Sequence, residues 1–287
     1  MKDQAEQLRN RLKIRDTPAA GKTIAIASGK GGVGKSNFTI NFALQLVQLN
    51  KKVLIFDLDI GMGNIDILLG VSPRYSIVDL FTKDLTIHDI IELGPNNLSY
   101  IAGGAGLANL FQLDESKFEY FQSQFSQLAI AYDYILFDMG AGVSADGLSF
   151  ISAADEAVVV TTPEPTSITD GYSMIKHLVT KDKNLPIYLL LNRALNVHSG
   201  QKAFQRLEKV AEHFLTKTIH SLGVIPEDRS VMQAVAKQIP FCINSPKSKA
   251  SAAVAGIAKR YVADRIEEKE RKESSFLTKL KRFVLER

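Results

Sequence analysis

Residues 23–38 read TIAIASGKGGVGKSNF, and no other stretch narrows the choice of fold as much. An apolar strand, TIAIA, runs into GKGGVGKS, which satisfies G-x-x-x-x-G-K-S and opens a helical run from Lys35 to Leu49. Strand, glycine loop and helix in that order make a phosphate cradle. Backbone N–H groups of Gly29, Lys30, Gly31, Gly32, Val33 and Gly34 point inward, and the helix N-terminus at Ser36 and Asn37 adds its dipole. Lys35 sits where such a loop needs a lysine for the β and γ phosphates, and the Ser36 hydroxyl suits Mg²⁺. Lys30 is a second lysine for which the loop alone has no use.

The rest of the chain repeats the same alternation. KVLIFDLD, YILFD, EAVVVTTP, PIYLLLNR and SLGVIPED read as further buried strands. Helical patterns fall at 116–131, 168–179, 201–214 and 231–237. Continuous apolar strands between helices predict an α/β fold: a doubly wound, mostly parallel sheet flanked by helices. Residues 1–21 are a charged leader followed by a TPAAG linker, and 22–272 form the main domain. After Ser248 comes one long helix, then a charged hinge, EEKERKESS, and a C-terminal helix over 273–287.

Composition removes several classes. The chain has 287 residues, 45% of them apolar, enough for a large core. A net charge of +4 is too weak a bias to argue for nucleic acid. The single cysteine, Cys242, precludes an intrachain disulfide and a Cys-rich zinc or iron–sulfur site within one chain. That also removes a reductase reading that needs two cysteines per chain, and it fits a cytoplasmic location. The opening MKDQAEQLRNRLKIRD lacks the apolar core of a signal peptide, and no apolar run approaches the roughly 18 residues of a membrane span.

Ligands of parallel sheets bind at the carboxyl ends of the strands, and three such ends carry carboxylates. Asp57 and Asp59 close the second strand in DLDIGMGNID, and Asp138 closes YILFD in DMGAG. Each also suits a turn or a helix cap. Beside a phosphate loop they are candidates for holding metal-bound water or placing an attacking one.

KGGVGKS, DLDIGMGNID, DMGAG, TTPEPTSITD and LNRA together resemble the deviant Walker A ATPases of the MinD/ParA family, over residues 22 to about 245. Within it the chain is most similar to the FlhG (FleN, YlxH) group, which regulates flagellar number and placement. The resemblance implies ATP and Mg²⁺ as ligands and an ATP-dependent homodimer. Lys30 would cross the dimer interface to the partner's phosphates, and Glu164 would reach the partner's nucleotide. Asp59 would orient the attacking water, and Ser36 would bind Mg²⁺ directly, with Asp57 and Asp138 acting through its waters. Asn192 would bond the adenine edge, and Pro226, Glu227 and Asp228 would flank the base. The leader segment DQAEQLRNRL is similar to the segment of that group that engages the GTPase FlhF, which would make Asp3, Gln4, Ala5, Leu8, Arg9 and Leu12 partner-binding. Flagellar switch (C-ring) proteins are further implied partners.

In the tail, Phe276, Leu277, Leu280, Phe283 and Val284 recur at i, i+1, i+4, i+7 and i+8, one apolar stripe of a helix. Lys279, Lys281, Arg282 and Arg287 lie off the stripe. The pattern suits an anionic membrane surface first, although such a stripe also suits a groove on the chain's own domain or on a partner. It also resembles the family's membrane-targeting helix. The expected location is therefore cytoplasmic and peripheral on the inner face of the cell membrane. A ParA-like ATPase that binds DNA nonspecifically is the alternative; it would leave the tail unexplained, and no specific DNA binding is expected.

Overall fold

The computed structural model describes residues 21–59, 63–104, 115–266 and 276–285. The leader residues Asp3, Gln4, Ala5, Leu8, Arg9 and Leu12, and the hinge EEKERKESS, lie outside them. The described residues form one sheet of eight strands: β1 (Lys22–Ser28), β2 (Val53–Leu58), β3 (Glu92–Leu93), β4 (Ser99–Ile101), β5 (Tyr134–Ala141), β6 (Glu156–Thr161), β7 (Ile187–Ala194) and β8 (His220–Pro226). The spatial order is β3-β4-β2-β5-β1-β6-β7-β8. Every pairing is parallel except β3 with β4. All six residues of β2 and of β6 are buried, which is why they read as unbroken apolar runs.

The described helices are α1 (Lys35–Gln48), α2 (Ile65–Leu69), α3 (Asp79–Thr82), α4 (Glu115–Ala131), α5 (Ala145–Ala153), α6 (Pro165–Lys181), α7 (Val197–Leu215), α8 (Arg229–Ala236), α9 (Phe241–Asn244), α10 (Lys249–Ile266) and α11 (Phe276–Leu285). Two start three or four residues earlier than their apolar pattern suggests. α6 begins on Pro165, whose fixed φ suits a first turn. α7 begins four residues before 201 because Asn196 and Ser199 form a reciprocal capping box. The sequence pattern gives no sign of α5, nor of the small elements β3, β4, α2 and α3.

Side chains alternate across the sheet. Ala25 and Ala27 of β1 face a core built with α4, α5, α6, α7 and α11, whereas Ile24 and Ile26 face one built with α1 and α10. In the second layer Tyr261 of α10 meets Phe42 of α1 edge to face at 5.4 Å. Its hydroxyl donates to the buried Glu156, whose other oxygen lies 3.1 Å from Lys22 Nζ. Cys242 is buried beside α1, its N–H donating to Asn41 Oδ1 at 2.8 Å, and burial pushes its thiol up to about 12.

The apolar stripe of α11 is turned inward. Phe276, Leu277, Leu280 and Phe283 are all buried, seated on α5 with α4 alongside. The Phe276 ring lies 4.9, 5.0 and 5.2 Å from those of Phe125, Phe137 and Phe150. Lys281 and Arg282 face outward. The side chain of Val284, the last residue of the stripe, lies outside what is described.

Candidate active site

The loop after β1 wraps the N-terminus of α1. Gly34 stands at the N-cap with φ 90°, and no side chain caps the helix, so its first N–H groups face the loop's interior. A Cβ at Gly34 would collide with the Asn192 amide. At Gly29, where the backbone passes α6, a Cβ would strike the Asp170 carbonyl. Gly29 and Gly34 are thus fixed by close approach to neighbouring elements.

The two lysines of the loop differ in their settings. Lys35 is buried, with Nζ 3.1 Å from Asp138 Oδ1 and 3.4 Å from the Ser36 hydroxyl. Asp138 Oδ1 also accepts from Thr39 at 2.8 Å, while Oδ2 is buried with no partner among the described residues. Lys30 lies on the rim, about one-third exposed. Its Nζ is 3.4 Å from Glu164 Oε2 and 3.1 Å from the Thr166 hydroxyl, at the start of α6.

Asp57 and Asp138 are register partners on adjacent strands. Asp57 Oδ1 accepts from the Asp59 N–H, and Oδ2 accepts from those of Asn64 and Ile65, which anchors the start of α2. Burial, then the Asp138 charge, push its pKa up to about 7 against the pull of these bonds and of Lys35. Asp59 is half-buried. Its pKa is raised by burial and by Asp138 and lowered by Lys35, so it shares the field of the loop. The donors fit Mg²⁺, which keeps several waters and takes few protein ligands. Asp138 has an oxygen to spare and shares Lys35 Nζ with the Ser36 hydroxyl, whereas Asp57 spends both oxygens on backbone.

A cavity of about 530 Å³ adjoins the loop and brings together Gly34, Asn37, Asn192, Pro226, Glu227 and Asp228. Asn192 closes β7 and donates to the Val33 carbonyl at 2.8 Å, tying strand to loop. Asp228 is also structural: it accepts from the N–H groups of Ser230 and Ala250, capping α8 and holding the start of α10. Burial raises its pKa, but these bonds outweigh burial and leave it below the ordinary value. Sequence reasoning missed Leu195 and Met232 on the cavity wall, 82% and 70% exposed. Their only signal is an apolar residue directly after LNRA and another in the first turn after PED.

The family model for the CobQ/CobB/MinD/ParA nucleotide-binding domain matches residues 24–241. The antiactivator FleN of Pseudomonas aeruginosa is 35% identical over 240 residues, 83% of this chain and 85% of FleN. The flagellum site-determining protein YlxH of Helicobacter pylori is 35% identical over 247 residues, 83% of this chain and 82% of YlxH. The septum site-determining protein MinD of Pyrococcus horikoshii, solved with Mg-ADP, superposes with a TM-score of 0.68 at 27% identity, covering 88% of this chain and 100% of that one. With its strand–loop–helix cradle, buried Lys35 and Asp138 in place, the chain belongs to the CobQ/CobB/MinD/ParA nucleotide-binding family and is a P-loop ATPase of the MinD/ParA kind.

Proposed function

We propose that the chain is an ATP-gated dimerising switch that sets flagellar number and placement. The observation that carries the reading is the division of labour between the loop lysines. Lys35 is committed to its own site, whereas Lys30 is held at the rim by an exposed pair with Glu164. A cation so placed is free to serve a second chain's phosphates, and an exposed pair costs little to break. In this reading Glu164 turns to the partner's nucleotide. Asn192, with Pro226, Glu227 and Asp228, borders the base. Asp59 orients the attacking water, and Asp138 and Ser36 hold Mg²⁺, with Asp57 holding the start of α2. When bound, Mg²⁺ neutralises charge on the transferred phosphoryl group. The flagellar role rests on FleN and YlxH, whose names are an antiactivator and a flagellum site-determining protein.

Residues 273–287 serve as a membrane-targeting helix on the 22–272 ATPase domain, and residues 1–21 act on FlhF, with C-ring proteins as later partners. The stripe of Phe276, Leu277, Leu280, Phe283 and Val284 would exchange its seat on α5 for anionic lipid. One such helix binds weakly, but two on a dimer gain from effective concentration. Among the described residues no helix is long and apolar enough to cross a membrane.

Light scattering with ATP and with ADP, beside vesicle flotation, tests the core of the reading. An ATP-only dimer that floats supports it, and a chain that stays monomeric with ATP sinks it. An ATP-dependent DNA shift without flotation would favour a ParA-like role. A peptide of residues 1–16 that fails to stimulate FlhF GTP hydrolysis would remove the FlhF arm alone.

A further inference from the structure

The end of the domain remote from the phosphate loop carries an aromatic ring that the fold does not use. α6 starts beside Lys30 and runs 17 residues to Lys181, about 25 Å away. α7 ends at the same level, and there Phe214 is 68% exposed, with the His213 ring edge-on to it at 4.6 Å. Lysines lie at the same end of the fold. Lys217 Nζ donates to the Lys183 carbonyl at 2.7 Å, which joins the end of α7 to the turn after α6. Lys183 is exposed. Lys181 Nζ lies 5.2 Å from the ring centre of Phe283, so the docked α11 ends at this rim with Arg282 facing out. Asp182 and Glu212 are the acids among them. Lysines at helix C-termini complement the helix dipole, but that gives no reason for an exposed phenylalanine.

We propose that this rim is a second membrane contact, in which Phe214 enters the interface of an anionic bilayer and the lysines meet its headgroups. The proposal rests on the membrane-cycling reading above and gives the ATPase body its own share in it. An aromatic tip among cations is the chemistry of an interfacial anchor, and each lysine near an anionic surface is worth roughly five-fold in partitioning. Because α11 docks with its apolar stripe inward and Arg282 outward at the same rim, the closed monomer already presents this face. It can then meet lipid before the tail is released.

The chain contains no tryptophan, so Phe214→Trp in the full-length protein gives a single indole reporter. With phosphatidylglycerol vesicles and ATP its emission should shift to the blue and be quenched by brominated acyl chains. Phosphatidylcholine vesicles should leave it unchanged. Lys183→Glu should lower vesicle binding at least five-fold without altering ATP hydrolysis or dimerisation. An unshifted indole on protein that sediments with vesicles overturns the proposal and leaves the tail reading intact; this is the outcome expected if the rim docks another protein. A shifted indole in a Phe283→Asp chain that binds vesicles undiminished upholds the rim and removes the tail.

Discussion

The rings of Phe276 and Phe137 lie 5.0 Å apart, so the tail helix rests on the residue next to Asp138. Its other neighbours are Phe150 and Phe125, and the contact is a buried four-ring cluster. Phe276→Ala removes the ring that seats the helix. Hydrogen exchange of residues 276–285 should quicken at least ten-fold in the nucleotide-free chain, about 1.4 kcal/mol of lost docking. The amides of β5 should keep their protection. Unchanged exchange in α11 would mean that Leu277, Leu280 and Phe283 hold the helix without it.

Replacing the two loop lysines should have different consequences. Lys35→Ala removes the ammonium beside Asp138 and should weaken ATP and ADP binding at least 100-fold by calorimetry, with circular dichroism confirming the fold. Lys30→Ala should leave ADP affinity within three-fold and stability within about 1 kcal/mol, since its pair with Glu164 is exposed. It should nonetheless abolish ATP-driven dimerisation or turnover. Normal dimerisation and hydrolysis by that variant would dismiss a role in trans.

Asp59→Ala should separate binding from chemistry. ATP affinity should stay within about three-fold, because the loop backbone and Lys35 are untouched, while kcat falls at least 100-fold. The raised pKa of Asp59, caused first by burial, adds a pH signature: its carboxylate forms at higher pH than a free aspartate's, so wild-type kcat should climb with pH on the acid side. Single-turnover kinetics read both effects, and wild-type turnover in the variant would refute the assignment.

Asp228 tests stability. Its carboxylate caps α8 and holds Ala250, so Asp228→Ala should cost about 1–2 kcal/mol at pH 7 in urea unfolding. Its pKa is lower folded than unfolded, so the contribution is fully present above the unfolded pKa of about 3.9. It disappears as pH falls through the lower folded value. The gap between variant and wild type should therefore narrow below about pH 4, and a constant gap would assign the loss to packing.

The long parallel strands are legible in the sequence because both of their faces are buried, leaving unbroken runs such as VLIFDL. α5 is not, since ADGLSFISA mixes glycine, serine and alanine, and its seat depends on Phe150 meeting Phe137 from another element. β3 and β4 span two and three residues, too few for any periodicity. In the site, the loop and its carboxylates follow from motif and strand ends. The bond from Asn192 to Val33 and the pair between Lys30 and Glu164 join residues 159 and 134 positions apart, which only the strand order reveals.

The seclusion of Cys242 has a practical consequence. With its thiol buried and its pKa pushed up to about 12, almost none is thiolate at neutral pH, so maleimides should pass it by. Surface cysteines introduced on α6 and on α11 should then be the only ones to take dyes. The wild-type background is thus suited to single-molecule energy transfer, in which the tail's departure from α5 is timed against each nucleotide turnover.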